Sequence, residues 1–182
     1  MLPTARYRHL ISAIAEHFAL PAWGSVPAAA WLEAQIIQES SGNPAARRYE
    51  PALDTVPDGD ALRVDDGLFE DDASWGLMQV LGWNLRAQLG IAPGTRMNFA
   101  FALDPAFGLI CGVRHLATEC LKPVGGSDVP RALARYNGGP GGTSMVADPK
   151  TGGLVLRRQD YVDAVKRHIP AVLADIHVGE DR

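Results

Sequence analysis

The sequence predicts an all-α or mainly α domain, and three observations lead to this prediction. Five or six segments carry apolar residues at helical spacing, and proline or glycine clusters separate them. They follow one another without the alternating strand patterns that mark an α/β fold. An apolar content of 47% in 182 residues can fill one ordinary core. We therefore expect a single domain over residues 1–182.

The first two predicted helices are followed by a long loop. The first helix, about residues 4–19, ends before Pro21. Ser25–Pro27 then forms the entry to a second helix, which ends near Ser40. Residues 44–73 combine prolines and glycines with many aspartates, which predicts an irregular acidic loop.

The next two predicted helices have recognisable boundary residues. The third spans about residues 75–89 and ends at Gly90, a typical residue after a helix C-terminus. The fourth opens at the capping pair Asp104–Pro105 and continues to about Leu121. The expected core stripe of the third helix is Met78, Leu81, Leu85 and Leu89.

The last third of the chain predicts two helices around a glycine-rich segment. The fifth helix covers about residues 129–136. A glycine-rich stretch, 141–153, follows, with a short extended piece at 154–156. The last helix lies around residues 160–168 and either kinks or restarts at Pro170.

Composition excludes several function classes. The chain has 17 basic and 21 acidic residues, a net charge of −4, and no long basic run, which argues against nucleic acid as a partner. No stretch approaches the ~20 apolar residues of a transmembrane helix. Glu16 and His17 interrupt the apolar part of the first helix, so we predict an amphipathic helix rather than a secretion signal.

Cysteine and histidine spacing predicts no metal site. Cys111 and Cys120 are nine residues apart in one predicted helix. At ~1.5 Å of rise per residue they are too distant to form a disulfide. The histidines are scattered and do not match zinc-ligand spacing. We expect two buried thiols, no metal, no cofactor and a monomeric chain.

An acid stands on the apolar side of the second helix, in its last turn. Counting back from Glu39 by helical steps gives Ile36, Gln35 and Leu32, so the carboxylate points toward the core edge. Apolar surroundings and the negative end of the helix dipole both favour the protonated acid, which is the form that a general acid needs. Alternatively, the stem packs while the head reaches water, and this stretch alone favours that interpretation.

Two further segments contain candidate binding residues. In "SWGLMQV", Gly76 lets backbone approach a ligand, and Gln79 shares a helix face with Trp83 and Arg86 that could line a sugar groove. The alternative is an amphipathic helix with an ordinary polar flank. In "LARYNGG", we expect the Tyr136 ring to lie mostly in the core with its hydroxyl partnered, and Asn137 is either functional or a C-cap.

The order of the motifs is more specific than any one of them. "ESSGNP", "GLMQ", "YN" and "YVDAV" occur in that order. This order resembles the soluble lytic transglycosylase family, whose fold is the lysozyme-like α domain. The resemblance covers about residues 28–168, most of the chain.

The resemblance implies a role for each matching residue. Glu39 corresponds to the single catalytic acid/base, and Tyr161 to the tyrosine whose hydroxyl lies close to that acid. The other implied substrate contacts are Ser40, Ser41, Gly76, Met78, Gln79, Tyr136 and Asn137. Arg135 departs from the family, which usually has alanine there. It is either a solvated helix residue or a partner for a substrate carboxylate.

The implied reaction is cleavage of peptidoglycan glycan strands between N-acetylmuramic acid and N-acetylglucosamine, with formation of a 1,6-anhydro ring. One rival is a goose-type lysozyme, a hydrolase that characteristically has an aspartate where this chain has Leu81. Its second carboxylate would come from Glu50, or from Glu70 and its neighbours. Another rival is an inactive wall-binding or virion-structural module.

A cell-wall substrate without a clear secretion signal suggests a phage endolysin, a virion lysin or an enzyme exported by other means.

Overall fold

The computed structural model describes residues 2–50, 72–92 and 99–180, which are mainly helical, as predicted. The helices are α1 (Arg8–His17), α2 (Ala28–Ser40), α3 (Gly82–Leu89), α4 (Pro105–His115), α5 (Val129–Gly138) and α6 (Gln159–Glu180). A π-helical turn covers Leu116–Leu121, and short 3₁₀ segments cover Ala5–Tyr7, Phe99–Leu103, Lys122–Val124 and Pro140–Thr143. The strands are β1 (Arg47–Tyr49), β2 (Ala73–Trp75), β3 (Val80–Leu81), β4 (Met145–Ala147) and β5 (Leu154–Leu156).

The chain divides into two compact units. The first consists of Met1–Gln38 and Val113–Arg182, and the second of Glu39–Gly112. The first contains the antiparallel hairpin β4–β5, and the second contains the antiparallel sheet β1–β2–β3. The expectation of one domain over the whole chain stays a prediction.

The core of the first unit is centred on α2, which is buried on nearly every side. Every residue from Ala30 to Ile36 is buried, as expected for a helix surrounded by protein. Two of these seven residues, Glu33 and Gln35, are polar and need separate explanations. Thr4 is a third buried polar residue of this unit, and the fully buried apolar residues include Ile11, Leu116, Leu133, Val165 and Val172.

Glu33 is buried but completely partnered. Its carboxylate accepts hydrogen bonds from the Thr4 hydroxyl at 2.6 Å and from Nε and Nη2 of Arg8 at 2.9 and 3.1 Å. Arg8 Nη2 also donates to Asp175 Oδ2 at 2.8 Å. Arg8 therefore ties α1 to both α2 and α6, and Glu33 has a structural role rather than a catalytic one.

Asp175 should make stability depend on pH. It accepts hydrogen bonds from the backbone N–H of Leu2 at 3.1 Å and from Arg8, and these bonds lower the pKa of its carboxyl below the usual 3.8. A lowered pKa contributes stability above the unfolded-state value, and that contribution is lost as the pH falls through the folded-state value. We expect Asp175→Asn to melt below the wild type at neutral pH, with a difference that shrinks from about pH 5 downward. Melting curves across this range test it, and a difference independent of pH would contradict it.

Gln35 is the second polar residue inside α2. It is 0% exposed, and neither its Oε1 nor its Nε2 has a hydrogen-bond partner among the described residues. An unsatisfied buried amide costs about 1–3 kcal/mol, so Gln35→Leu should stabilise the protein by about 1–2 kcal/mol. Urea unfolding measures this change, with Gln38→Leu in the same helix as a control that loses only an exposed hydrogen bond to His168 and is expected to change little. Destabilisation by Gln35→Leu would mean that the amide has a role in the folded state.

The second unit corrects the predicted third helix. Residues 75–81 do not form a helix: β2 and β3 pair antiparallel around a turn, with Trp75 opposite Val80, and α3 begins only at Gly82. Gly76 and Gln79 have φ values of +73° and +48°, in the left-handed region that a right-handed helix excludes. Of the predicted stripe, Met78 and Leu85 are buried, whereas Leu81 is half-buried and Leu89 is 39% exposed.

The predicted irregular loop at 44–73 is also partly corrected. Its first described part contains β1, which pairs with β2 in the register Arg47 to Trp75 and Tyr49 to Ala73. Residues 51–71, which hold most of the predicted acidic loop, lie outside the described residues. Three-residue strands are too short for an alternating pattern to identify them from sequence.

The fourth helix has the predicted extent, and the last helix is longer than predicted. The predicted helix over 105–121 is confirmed, but its last six residues form the π-turn. The last helix continues to Glu180 with Pro170 inside it, which excludes the restart, one of the two predicted alternatives at Pro170. Within the described ranges, no helix combines the length and apolarity needed to cross a bilayer.

Candidate active site

Glu39 lies in the last turn of α2, at the start of the second unit. Its side chain is half-buried, while Leu32, Gln35 and Ile36 on the preceding turns are 0% exposed. The chain then leaves the helix through two left-handed residues, Ser41 at φ +54° and Gly42 at φ +75°. Such strain in a non-glycine residue is uncommon and is often found at functional sites.

The predicted polar neighbours of Glu39 differ in exposure. Ser40 is half-buried as the last residue of α2, and Ser41 is exposed. The left-handed conformation of Ser41 is what turns the chain away from the helix axis. Both serines lie in the same unit as Glu39.

The "GLMQ" motif forms the tight turn between β2 and β3. The Gly76 N–H donates to the Ala46 carbonyl at 2.8 Å, and Gln79 Nε2 donates to the same carbonyl at 3.1 Å. Gln79 Nε2 also donates to the Gly76 carbonyl at 2.9 Å. The turn is thereby fastened to the segment that follows "ESSGNP".

This bonding redefines the predicted role of Gln79. Both amide protons are directed at backbone carbonyls, and the residue is only 8% exposed. Gln79 therefore braces the turn, and Oε1 is the amide atom left to accept from a ligand. Its left-handed backbone, at φ +48°, is strained for a non-glycine residue, as it is at Ser41.

Gly76 and Met78 are the closely packed residues of the turn. A Cβ atom on Gly76 would lie 2.2 Å from the Ala102 carbonyl oxygen, so only glycine fits. Met78 is 0% exposed, and a Cβ atom on Gly112 would lie 2.6 Å from its Sδ. Met78 is therefore a core residue packed against Gly112, and its predicted place beneath the substrate stays a prediction.

The predicted groove face Gln79–Trp83–Arg86 is not formed, because Gln79 precedes α3 and is not part of it. Trp83 Nε1 donates to Asp72 Oδ1 at 2.9 Å. Arg86 is 2% exposed, donates to the Ala92 carbonyl at 2.8 Å and lies 5.9 Å from the Phe99 ring. Both side chains are therefore held by contacts within the second unit.

The remaining predicted site residues belong to the first unit, on the packed helices α5 and α6. Tyr136 is half-buried, and its ring meets the His115 ring edge-on, with 5.5 Å between centroids. The ring was expected to lie mostly in the core, whereas the residue is only half-buried. Asn137 is exposed and precedes Gly138, the last residue of α5, so it is not the C-cap. Tyr161 is 5% exposed in the first turn of α6.

Arg135, the departure from the family pattern, has a structural contact. Its Nε donates to the Glu119 carbonyl at 2.6 Å in the π-turn. The two sequence interpretations were a solvated residue and a partner for a substrate carboxylate, and this bond occupies one edge of the guanidinium. Nearby, burial raises the pKa of the Cys120 thiol to about 12, so this thiol is unreactive at neutral pH.

The described carboxylates of the second unit are Glu39, Glu50, Asp72 and Asp104, within residues 39–50, 72–92 and 99–112. Glu50 Oε1 accepts from Arg48 Nε at 2.7 Å and from the Ser74 hydroxyl at 3.4 Å. Asp72 accepts from Trp83, and Asp104 caps α4 by accepting from the Phe107 N–H at 2.9 Å. Glu70, the other predicted second carboxylate, lies outside the described residues.

Sequence reasoning missed His115. No spacing rule singles it out, since its contact with Tyr136 depends on a π-turn and on helix packing. Among the described residues, no group of three or more histidine, cysteine, aspartate or glutamate side chains is placed to hold a metal ion. Both cysteines are buried.

Comparison of the chain with protein-family models, with curated proteins and with solved structures gives no match. The functional assignment therefore depends on the residues themselves and on their contacts.

Proposed function

We propose that this protein is a peptidoglycan lytic transglycosylase with a lysozyme-like fold and that Glu39 is its catalytic acid/base. The observation that carries the proposal is the fastening of the "GLMQ" turn to the segment after Glu39. Two hydrogen bonds from Gly76 and Gln79 reach the Ala46 carbonyl, which lies two residues after "ESSGNP" and at least 30 residues before the turn in sequence.

The local backbone supports the same proposal. Of the three described non-glycine residues with positive φ, two are predicted substrate contacts, Ser41 and Gln79. Left-handed conformations cost free energy and persist where the surroundings impose them, commonly at functional sites. In the first unit, the Tyr136–Asn137 pair and Tyr161 lie on two helices that pack together.

The described carboxylates of the second unit are compatible with a mechanism that uses one carboxylate. Glu50, Asp72 and Asp104 each accept a hydrogen bond that stabilises the local fold, and Glu33 in the other unit is held by Arg8 and Thr4. An inverting or retaining hydrolase needs two carboxylates, whereas a transglycosylase needs one. Glu39 would supply that one.

In the proposed reaction, the Glu39 acid gives its proton to the β-1,4 oxygen that links N-acetylmuramic acid to N-acetylglucosamine. The bond from that oxygen to the muramyl anomeric carbon breaks, and the 2-acetamido group stabilises the positive charge. The Glu39 carboxylate then takes the proton of the same sugar's C6 hydroxyl, whose oxygen bonds to the anomeric carbon. No water is consumed, and the tethered hydroxyl gains from proximity.

Glu50 is the observation that favours a second candidate, a lysozyme-type hydrolase. Its carboxylate is 30% exposed and is held at the edge of β1 and β2 by Arg48 and Ser74. A fixed, accessible carboxylate in the same unit as Glu39 is the kind of group that activates water.

Mass spectrometry of soluble products from peptidoglycan sacculi separates these candidates. We expect muropeptides with 1,6-anhydromuramic acid ends. Reducing ends, one water heavier, would replace the transglycosylase by the hydrolase. No soluble product, together with retained binding to sacculi, would replace both by a wall-binding module.

A further inference from the structure

The C-terminal end of α5 contacts a π-turn of the first unit. The helix that begins as α4 widens into a π-turn at Leu116–Leu121, where the Lys122 N–H donates to the Ala117 carbonyl five residues earlier. The wider turn brings Leu116 and Leu121 to one buried face. Isolated π-turns within helices are rare and are frequently found at functional sites.

His115 immediately precedes the π-turn and lies against Tyr136. The two rings meet at an interplanar angle of 69° with 5.5 Å between centroids, a T-shaped pair. Burial lowers the pKa of His115, while Glu119 opposes this shift and Arg135 adds to it. The imidazole is therefore neutral at neutral pH and packs as an aromatic ring.

A second contact connects Arg135, the residue before Tyr136 in α5, to the π-turn. Arg135 Nε donates to the Glu119 carbonyl at 2.6 Å, and carbonyls near a helix end need partners from outside the helix. Consecutive residues of α5 thus contact His115 and the π-turn. Asn137, the next residue, is exposed. Two consecutive side chains before the exposed Asn137 are therefore in contact with the π-turn or with the residue that precedes it.

We propose that His115 is a positioning residue for the transglycosylase reaction, because its ring fixes the half-buried ring of Tyr136 and with it the sugar contact made by Tyr136 and Asn137. This inference depends on the proposed function, which gives Tyr136 its role. The T-shaped contact removes rotational freedom from the tyrosine before the substrate arrives. Preorganised contacts of this kind lower the cost of binding and orientation.

The test compares two substitutions of one residue. His115→Ala removes the ring, and we expect kcat/KM on soluble glycan strands to fall about tenfold, mainly through a higher KM. His115→Phe keeps an aromatic edge, so its kcat/KM should stay within about threefold of the wild type. The matched control is His17→Ala, which removes an exposed imidazole with a similar T-shaped contact to Phe18, at 5.0 Å and 88°. This control should leave both constants unchanged.

Each result is informative when melting curves accompany the kinetics. A loss in His115→Ala that Phe restores supports the positioning role. Normal kinetics in both variants, or a loss that follows only the unfolded fraction without a change in KM, would overturn it. If His115→Ala does not fold, His115→Leu, which keeps the volume without a ring, takes its place. A wild type that forms no anhydro product would instead remove the proposed function, and this inference with it.

Discussion

Glu39→Gln is expected to abolish release of anhydromuropeptides while the protein remains folded. Glutamine has nearly the same shape as glutamate but cannot donate the proton that the leaving oxygen needs or take the C6 hydroxyl proton. Losing a general acid/base costs about 10²–10⁴ in rate, and one group that serves both steps should reach the upper end. The measurement is product release from sacculi by mass spectrometry, with circular dichroism melting to establish that the fold is retained.

Glu50→Gln is the matched control, because Glu50 is another half-buried carboxylate of the same unit. Under the transglycosylase proposal its turnover should stay within about threefold of the wild type, since its contacts to Arg48 and Ser74 stabilise only the sheet edge. Near-normal turnover by Glu39→Gln would remove Glu39 from the chemistry. Loss in both variants, with reducing-end products from the wild type, would establish a two-carboxylate hydrolase.

Helices with local boundary signals could be predicted from sequence. The entry to α2 follows Pro27, and α4 begins at Pro105 after the capping residue Asp104. Asp128 caps α5 by accepting from the Arg131 N–H at 3.1 Å. Such signals depend on residues within one turn of the boundary, so they can be read without tertiary information.

The turn at residues 76–79 could not be predicted in the same way. Its left-handed residues Gly76 and Gln79 bond to the Ala46 carbonyl, which is distant in sequence, and "SWGLMQV" alone fits a helical period. The strands of the sheet β1–β2–β3 are similarly short, and β1 and β2 pair although more than twenty residues separate them in sequence. Tertiary contacts there outweigh local propensity.

Sequence reasoning could select candidate residues, but it could not give the contacts of their side chains. The motifs identified Glu39 and Gln79, but sequence reasoning directed the Gln79 amide at a sugar, whereas its protons are bonded to backbone carbonyls. Arg86 was expected on a groove and is buried. His115 was not predicted as a site residue because a π-turn has no recognisable sequence pattern. Side-chain direction depends on the backbone path, and the path at 76–81 was the part predicted wrongly.

Gly76→Ala is expected to have the second large effect, on both stability and activity. The left-handed φ of +73° disfavours any side chain, and the new Cβ atom would lie 2.2 Å from the Ala102 carbonyl oxygen, which is backbone and cannot turn aside. We expect a loss of about 3 kcal/mol, from about 1 kcal/mol of backbone strain and the rest from steric overlap. The bond from the Gly76 N–H to Ala46 should weaken as well, which would move the "GLMQ" turn away from the segment after Glu39.

Gly90→Ala isolates the steric part of that loss. Gly90 has a similar φ of +66°, but a Cβ atom there would meet nothing within 4 Å, so it should cost only the backbone strain of about 1 kcal/mol. Urea unfolding of both variants gives the difference, and product release is then compared at a temperature where both are folded. Equal stabilities would mean that the segment at Ala102 moves aside freely. Lower stability with unchanged turnover would mean that the turn supports the fold alone, because a turn that shapes the substrate site cannot shift without changing catalysis.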